Sequence, residues 1–279
     1  MAENWSKIEC EVIVADYFSM LLKDLCGLNY NKTEHRHVLK EKLNSRTDGS
    51  IEYKHQNISA ILLNAGHTYI KGYKPAWNYQ ALLEDIVLER IKDYSNDILQ
   101  AENNLLEKVN DNQADVNWRS VFVEPPEKMN KHQIREPQLS KPRYTDFAER
   151  EARNRFLGKK GELFVFEIEK KRLTDMGRED LLQDIEWTSN VRGDGAGYDI
   201  RSFFGKTDDE LFIEVKTTNA GKYQPFLITA NEVEFSRQRS TNYSLYRVFD
   251  FSENPGIFSL NGQITEHVNI LPQVFRATF

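Results

Sequence analysis

A β-hairpin is predicted by the stretch Gly197-Tyr-Asp-Ile-Arg-Ser-Phe-Phe-Gly-Lys-Thr-Asp-Asp-Glu-Leu-Phe-Ile-Glu-Val-Lys-Thr217. Apolar and polar residues alternate along both arms, as they do in strands, and Gly205-Lys-Thr-Asp208 between the arms has the composition of a turn. If this turn is symmetric, Asp199 on the first arm lies directly opposite Glu214 on the second arm.

The hairpin is predicted to have one charged face and one apolar face, because successive side chains of a strand alternate between faces. The apolar face is expected to be the buried one, and it carries Ile200, Leu211, Ile213 and Val215. The charged face carries Asp199, Arg201, Glu214 and Lys216. Two carboxylates directly opposite each other repel, so this pairing does not serve the stability of a sheet.

A divalent cation between Asp199 and Glu214 would remove that repulsion. Hard cations such as Mg²⁺ take oxygen ligands and are typically bound through one or two carboxylates together with substrate phosphates. Lys216 would lie beside such a cation, where its charge can orient or polarise a water. An acidic residue followed on the next strand by Glu-x-Lys therefore predicts metal-assisted hydrolysis of a phosphodiester. Asp194, in the glycine-rich turn before Asp199, is a further candidate ligand.

This pattern resembles the core of the PD-(D/E)XK nuclease superfamily, which includes many restriction endonucleases. A closer resemblance, to the NO VEIN-type C-terminal domain assigned to that superfamily, extends over residues 145–255. The proline that usually precedes the acidic residue is absent, and Tyr198 takes its place. The resemblance is carried by Gly195-Ala-Gly-Tyr-Asp-Ile-Arg-Ser202, Phe212-Ile-Glu-Val-Lys-Thr-Thr218 and Tyr246-Arg-Val-Phe-Asp-Phe251.

The resemblance implies an α/β domain of the restriction-endonuclease-like type, with a mixed sheet flanked by helices. It also implies a metal-dependent endonuclease, in which Asp199, Glu214 and the carbonyl of Val215 bind Mg²⁺, or Mn²⁺ in its place. Lys216 would position and activate the attacking water. The first helix of such domains often contributes one more acidic residue to the metal site, and Glu162 matches that position.

Composition indicates a soluble globular protein of two domains. The chain has 279 residues, of which 39% are hydrophobic and 29% charged. The formal net charge of −6 excludes a strongly basic nucleic-acid coat but leaves room for a local basic patch. We expect no membrane span and no signal peptide, and the two cysteines have neither metal-binding nor redox spacing. The chain is therefore expected to be cytoplasmic.

The N-terminal domain, residues 1–110, is predicted to be mainly α-helical and to bind double-stranded DNA. A helix over 35–43, a turn and a second helix that begins at Ser50 have the layout of a helix-turn-helix reader. The alternative interpretation is an ordinary solvated helix face. A loose resemblance to the helical DNA-binding module of some restriction-type nucleases favours DNA. The predicted DNA contacts are Arg36, Lys40, Arg46, Lys54, His55, Gln56 and Asn57.

A proline-rich linker over 111–143 is predicted to lead into the nuclease-like domain, residues 144–279. This domain should open with a helix over 146–173, in which Gly158 and Gly161 mark either a break or close packing on the sheet. Glu167 and Glu169 on this helix are interpreted as a solvated face. The elements expected after the hairpin are a strand over 226–229, a helix over 231–239, a strand over 243–251 and an edge strand or two after Pro255.

The sequence thus predicts a Mg²⁺-dependent DNA endonuclease, of the restriction or defence type. A two-fold symmetric DNA site would favour a homodimer. Two alternatives remain open: a catalytically inactive nuclease fold that binds DNA or serves as a scaffold, and a nuclease directed at RNA.

Overall fold

The computed structural model describes most of the chain as two compact units. The first unit comprises residues 1–110, 133–151 and 219–225, and the second comprises 111–132, 152–218 and 226–279. The side chains of 95–107 and 147–154 are not described. The residues described are 4–26, 28–43, 46–65, 67–107, 117–128, 147–193 and 195–271.

The described part of the first unit is mainly helical. α1 begins after a capping box in which Ser6 and Glu9 satisfy each other's backbone N–H groups. α1 packs against α3 and α4, and their apolar faces meet in a core that includes Tyr17, Phe18 and Ile58. The helices are α1 (Lys7–Leu25), α2 (Lys32–Lys42), α3 (Asp48–Asn64) and α4 (Ala81–Glu107).

The start of α3 differs from the sequence prediction. α3 begins earlier than expected, because the side chain of Thr47, and not that of Ser50, caps it by accepting the backbone N–H of Ser50. Of the two cysteines, Cys10 is buried in the helical core and Cys26 is exposed, and both are free thiols.

The second unit is an α/β domain with a five-stranded mixed sheet, as predicted. The strand order is sequential from β1 to β5, and only the β3–β4 pair is parallel. α8 forms the crossover between these two strands. The helices are α5 (Trp118–Val121), α6 (Phe147–Asp175), α7 (Thr188–Arg192), α8 (Ala230–Gln238) and α9 (Ile264–His267), with a 3₁₀ turn at Glu179–Asp184. The strands are β1 (Glu186–Trp187), β2 (Ile200–Phe203), β3 (Glu210–Thr217), β4 (Tyr243–Phe249) and β5 (Gly256–Asn261).

The hairpin has the register that a symmetric turn predicts. Ile200 of β2 pairs with Ile213 of β3, so the next pair outward sets Asp199 opposite Glu214. The prediction of one buried face was wrong, because β3 is a central strand whose two faces are both covered. On the face of Glu214, Phe212 packs in a core with Tyr243 and neighbouring apolar side chains.

The opposite face of the sheet is covered by α6, which continues through both glycines without a break. A Cβ on Gly161 would overlap the side chain of Thr217 on β3, so this glycine permits close packing of helix on sheet. Glu169 of α6 is completely buried and accepts hydrogen bonds from Arg172, Ser202 and Tyr246. The prediction of a solvated face was therefore wrong for Glu169. Glu167 is exposed and pairs with Lys170 at 3.0 Å, as predicted.

Two predicted elements have another structure. Residues 226–229 are not a strand but extended chain that ends in Thr229, the N-cap of α8. In the predicted linker, Val123 donates its N–H to Ile257 of β5 at 2.8 Å, and Trp118 donates Nε1–H to Asp175 at 2.6 Å. Residues 117–128 are thus packed onto the second unit; the rest of the predicted linker lies outside the described residues.

Candidate active site

The candidate site lies where β2 begins, beside the carboxyl half of β3. Gly197, two residues before Asp199, has φ of 85°, and a Cβ there would lie 2.7 Å from Cβ of Phe235 on α8. The turn therefore needs glycine both for its backbone angle and for its close approach to α8. Beyond this turn, the N–H of Asp199 donates to the carbonyl of Ile213 at 2.9 Å, which aligns Asp199 with β3.

β3 holds the carboxylate of Asp199 directly. The backbone N–H of Val215 donates to Oδ2 of Asp199 at 2.8 Å. Because Val215 lies between Glu214 and Lys216 in the chain, this bond ties Asp199 to the strand that carries the other two motif residues. The sequence-predicted residues Asp199, Glu214, Val215 and Lys216 are therefore brought together by the structure.

Lys216 forms ion pairs with two carboxylates. Its Nζ lies 2.7 Å from Oε1 of Glu214 and 2.8 Å from Oε2 of Glu232 on α8. The side chain of Glu214 is almost fully buried, and those of Lys216 and Glu232 are exposed only to a small extent. Arg201, on the same face, is directed elsewhere and pairs with Glu210 at 3.3 Å.

Burial sets the protonation of the two facing carboxyls. Burial, followed by the charge of Glu162, raises the pKa of Asp199 to about 7. The hydrogen bond from the N–H of Val215 and the charge of Lys216 favour the ionised form and lower this pKa in part. Burial, followed by the charge of Asp199, raises the pKa of Glu214 well above its ordinary value. Burial alone would lower the pKa of Lys216, but the ion pairs with Glu214 and Glu232 raise it, so the ammonium stays protonated.

Glu162 is fixed beside this group by β1 and α7. Its Oε2 accepts a hydrogen bond from Nε1 of Trp187 at 2.7 Å and another from the hydroxyl of Ser189. Glu162 is close enough to raise the pKa of Asp199 through its charge, so the structure places this predicted residue near the motif.

Tyr243, at the start of β4, brings a hydroxyl to the same acidic group. It is 1% exposed, and no hydrogen-bond partner for its hydroxyl is found among the described residues. Burial, followed by the charges of Glu214, Glu232 and Asp199, raises its pKa far above the ordinary value. The hydroxyl therefore keeps its proton and can act as a donor.

The net negative charge of the side chains at this site is suited to a divalent cation. Glu214 and Glu232 pair with the single ammonium of Lys216, and Asp199 is close enough to feel its charge, so these four side chains, when fully ionised, have two uncompensated negative charges. Burial is the largest cause of the raised pKa values of the two facing carboxyls and repulsion between carboxylates adds to it; a nearby cation would favour their charged forms. Within the described residues, no group of three or more His, Cys, Asp and Glu side chains is arranged to hold a metal ion. Asp194 lies outside the described residues.

Part of the second unit matches a known protein family. Residues 161–260 match the family described as Protein NO VEIN, C-terminal. The match confirms the resemblance to the NO VEIN-type C-terminal domain that the sequence motifs indicated. A search of curated proteins and a search of solved structures each found no match.

The NO VEIN C-terminal match includes all the side chains just described, from Glu162 on α6 to Tyr243 on β4. Sequence reasoning missed Glu232, Tyr243, Trp187 and Ser189 as members of this group. For Glu232 a signal existed, since Thr229-x-x-Glu232 is a capping box that fixes the start of α8. For Tyr243 no signal existed, because a tyrosine in an alternating strand is usually a packing residue.

Three of the predicted DNA contacts lie outside the NO VEIN match and inside the helical core. Lys54, His55 and Asn57 are at most 5% exposed. Nζ of Lys54 donates to Oε1 of Gln80 at 2.9 Å, and Nδ2 of Asn57 donates to the carbonyl of Ala76 at 2.7 Å. The prediction that these three side chains contact DNA was therefore wrong, because they hold the helical unit together.

His55 illustrates how firmly this region is packed. Its ring lies 4.9 Å from the ring of Tyr73 and 5.8 Å from that of Tyr17, centroid to centroid. Burial, followed by the charge of His35, lowers the pKa of His55 to about 3. The imidazole is neutral at any physiological pH and adds no positive charge to a DNA-binding surface.

The other predicted contacts are more accessible but carry internal pairs. The guanidinium of Arg46 is half-buried and donates to Glu9 at 2.6 Å and 2.9 Å, so it is engaged within the helical unit. Arg36 and Lys40 both pair with Asp48, at 3.7 Å and 2.7 Å. Gln56 is half-buried. Of the seven predicted DNA contacts, Arg36, Lys40 and Gln56 remain candidates.

Within the described residues, no helix combines the length and the apolar character that crossing a membrane requires.

Proposed function

We propose that the second unit is a metal-dependent nuclease that hydrolyses phosphodiester bonds in DNA. One observation carries the proposal: Asp199 and Glu214 face each other across the hairpin, with Lys216 bound to Glu214 at 2.7 Å. A sheet gains no stability from facing carboxylates, and their burial makes their charged forms costly. Such an arrangement is expected where a cation and an anionic substrate complete it.

In this proposal Asp199 and Glu214, with the carbonyl of Val215, hold Mg²⁺ or Mn²⁺. The cation, when bound, supplies Lewis-acid polarisation of a phosphoryl oxygen and a more acidic water. Mg²⁺ commonly relies on only one or two carboxylates plus substrate phosphates, which agrees with the small ligand set of this chain.

Lys216 acts in this proposal as a donor and a fixed positive charge. Because its ion pairs with Glu214 and Glu232 raise its pKa and keep it protonated, we assign it the role of orienting the water or stabilising charge on the phosphate. This refines the expectation that Lys216 activates water directly. In the same proposal Glu162, which Trp187 and Ser189 hold by hydrogen bonds, would bind a water beside Asp199.

The helical unit is proposed to contact double-stranded DNA, and the chain to act as a homodimer of restriction or defence type on a two-fold site. The support for DNA contact is limited to Arg36, Lys40 and Gln56 after the corrections above. A second candidate function, DNA binding without hydrolysis, is favoured by the ion pairs of Lys216, which already neutralise part of the acidic group. RNA is the alternative substrate.

The test is cleavage of modified and unmodified plasmid DNA, and of RNA, with Mg²⁺ or with EDTA. Wild type is expected to cut DNA only with Mg²⁺, and Lys216→Ala to lose cutting while its circular dichroism spectrum shows that it remains folded. Lys206→Ala is the matched control, because this lysine is exposed in the turn of the same hairpin. A preference between the two plasmids would show whether the protein distinguishes modified from unmodified DNA.

Two results would overturn the proposal. If Lys216→Ala cuts as well as wild type, the activity does not belong to this site. If wild type binds DNA but cuts neither plasmid with Mg²⁺ or Mn²⁺, the binding function without hydrolysis replaces the nuclease. Cutting of RNA alone would keep the chemistry and change the substrate.

A further inference from the structure

We propose that Glu232 is a positioning residue that frees Glu214 for a divalent cation, by giving the Lys216 ammonium a second carboxylate to bind. This inference rests on the proposed function and deepens it. It assigns to α8 a share in the site that the hairpin motif does not contain.

The ion-pair geometry defines the problem that Glu232 solves. Nζ of Lys216 is 2.7 Å from Oε1 of Glu214 and 2.8 Å from Oε2 of Glu232, so the ammonium is shared almost equally. A cation bound by Glu214 has to replace the ammonium as the partner of that carboxylate. With Glu232 in place, Lys216 keeps one full ion pair when Glu214 turns to the cation.

Without Glu232, the same exchange would be unfavourable. A buried ammonium that loses its only carboxylate is left uncompensated, and it would also stand next to a new positive charge. Lys216 would then remain on Glu214 and compete with the cation. The negative charge of Glu232 thus makes the acid-rich group compatible with a lysine and a cation at the same time.

Glu232 is held rigidly enough to serve as this anchor. Its Oε2 accepts the backbone N–H of Thr229 at 3.2 Å, and its own N–H donates to the Thr229 hydroxyl at 3.2 Å. The next residue back, Asn231, donates Nδ2–H to the carbonyl of Gly195 at 2.9 Å, which ties the start of α8 to the turn before Asp199. The carboxylate therefore does not need to move when the ammonium shifts toward it.

The experiment measures Mn²⁺ binding to the full chain by electron paramagnetic resonance of the free ion, with Mg²⁺ as competitor. Glu232→Gln keeps the size of the side chain and an acceptor for the cap, and it removes the charge. We expect it to weaken Mn²⁺ binding about tenfold, since a buried unit charge near the cation is lost and Lys216 is left on Glu214. Glu234→Gln, exposed on the same helix and paired with Arg237, is the control and should bind like wild type.

Lys216→Met isolates the competition. Removing the ammonium is expected to strengthen Mn²⁺ binding, although this variant should not cut DNA. In the Lys216→Met background, Glu232→Gln should weaken Mn²⁺ binding by clearly less than tenfold, because no ammonium is left to compete with the cation for Glu214. An equal or larger cost in that background would overturn the inference, since Glu232 would then act on the cation directly or through the cap alone.

A second measurement covers the case in which Lys216→Met does not fold. In Glu232→Gln, raising the Mn²⁺ concentration should restore the bound state and the cleavage rate toward wild-type values, whereas a damaged α8 would not respond to Mn²⁺. No rescue would overturn the inference. If wild type itself binds no Mn²⁺, both the proposed metal site and this inference are wrong. If wild type binds Mn²⁺ but does not cut DNA, only the proposed hydrolysis is wrong, and the Mn²⁺-binding data still test the role of Glu232.

Discussion

The backbone N–H of Val215 donates to Oδ2 of Asp199 at 2.8 Å, so a strand residue between Glu214 and Lys216 orients the carboxylate of the preceding strand. A backbone donor that could join the sheet ladder is used here on a side chain. This bond favours the charged form of Asp199, yet burial and Glu162 outweigh it and raise the pKa to about 7. The carboxylate is thus positioned for a cation but is costly to ionise without one.

The first prediction concerns pH and stability without a cation. A carboxyl with a higher pKa in the folded than in the unfolded state contributes stability below its unfolded pKa and loses it as pH rises through the folded pKa. For Asp199 this window runs from 3.8 to about 7. We expect the melting temperature of wild type in EDTA to fall across this window, and Mg²⁺ to reduce the fall.

Asp199→Asn tests the source of that fall, because asparagine does not titrate. Its melting temperature should depend less on pH over the same window; part of the dependence should remain, since the pKa of Glu214 is raised as well. Glu167→Gln, at an exposed position of α6, should behave like wild type. The explanation fails if Asp199→Asn and wild type show the same pH profile.

The second prediction contrasts two glycines of α6. Gly161→Ala is expected to lower stability by about 1–3 kcal/mol, because the new methyl overlaps Thr217 and over-packs the contact of helix and sheet. Gly158→Ala should raise it by up to about 1 kcal/mol, since the nearest atom would be 4.0 Å away and alanine favours a helix. Chemical denaturation of the two variants checks both signs, and destabilisation of both would contradict the packing explanation.

The third prediction concerns the buried hydroxyl of Tyr243. Tyr243→Phe keeps the ring in its core and removes a polar group that has no partner among the described residues, so the free energy of unfolding should stay the same or rise by about 1 kcal/mol. If the hydroxyl donates to substrate or to a site water, cleavage should fall in the same variant. A clear loss of stability in urea would show that the hydroxyl does have a partner.

The fourth prediction separates packing from DNA contact in the helical unit. Asn57→Ala should lower stability by about 1–3 kcal/mol, because it removes the hydrogen bond to the carbonyl of Ala76 and leaves that carbonyl unsatisfied. Lys40→Ala, at a half-exposed position, should leave stability within about 0.5 kcal/mol but weaken DNA binding and reduce its salt dependence. Thermal melts and DNA titrations at two salt concentrations measure both effects.

A different outcome would contradict this division of roles. If Asn57→Ala were as stable as wild type, the hydrogen bond to Ala76 would not contribute to the stability of the helical unit. Unchanged DNA binding by Lys40→Ala would instead remove α2 from the proposed contact surface.

The spacing of residues along α3 indicates that Lys54 and His55 are buried. Ile51, Lys54, His55 and Ile58 are spaced three, four and seven residues apart, so one stripe of the helix carries them all. The polar chemistry of Lys54 and His55 suggested a surface, but the stripe they share with two isoleucines is buried. The spacing of residues along a helix determines which side chains face the core. The residue type determines only which hydrogen-bond or ion-pair partners a buried side chain requires.

Local pattern in the sequence was enough for the hairpin, its register and the meeting of Asp199 with Glu214, because each depends on residues close in the chain. Only the tertiary structure brought Glu232 to Lys216, Trp187 and Ser189 to Glu162, and Tyr243 to the acidic group. Those contacts join α8 and β4 to the hairpin, and β1 and α7 to α6. Periodicity indicates which face of an element a side chain occupies, but which element covers that face depends on how the whole domain buries its apolar surface.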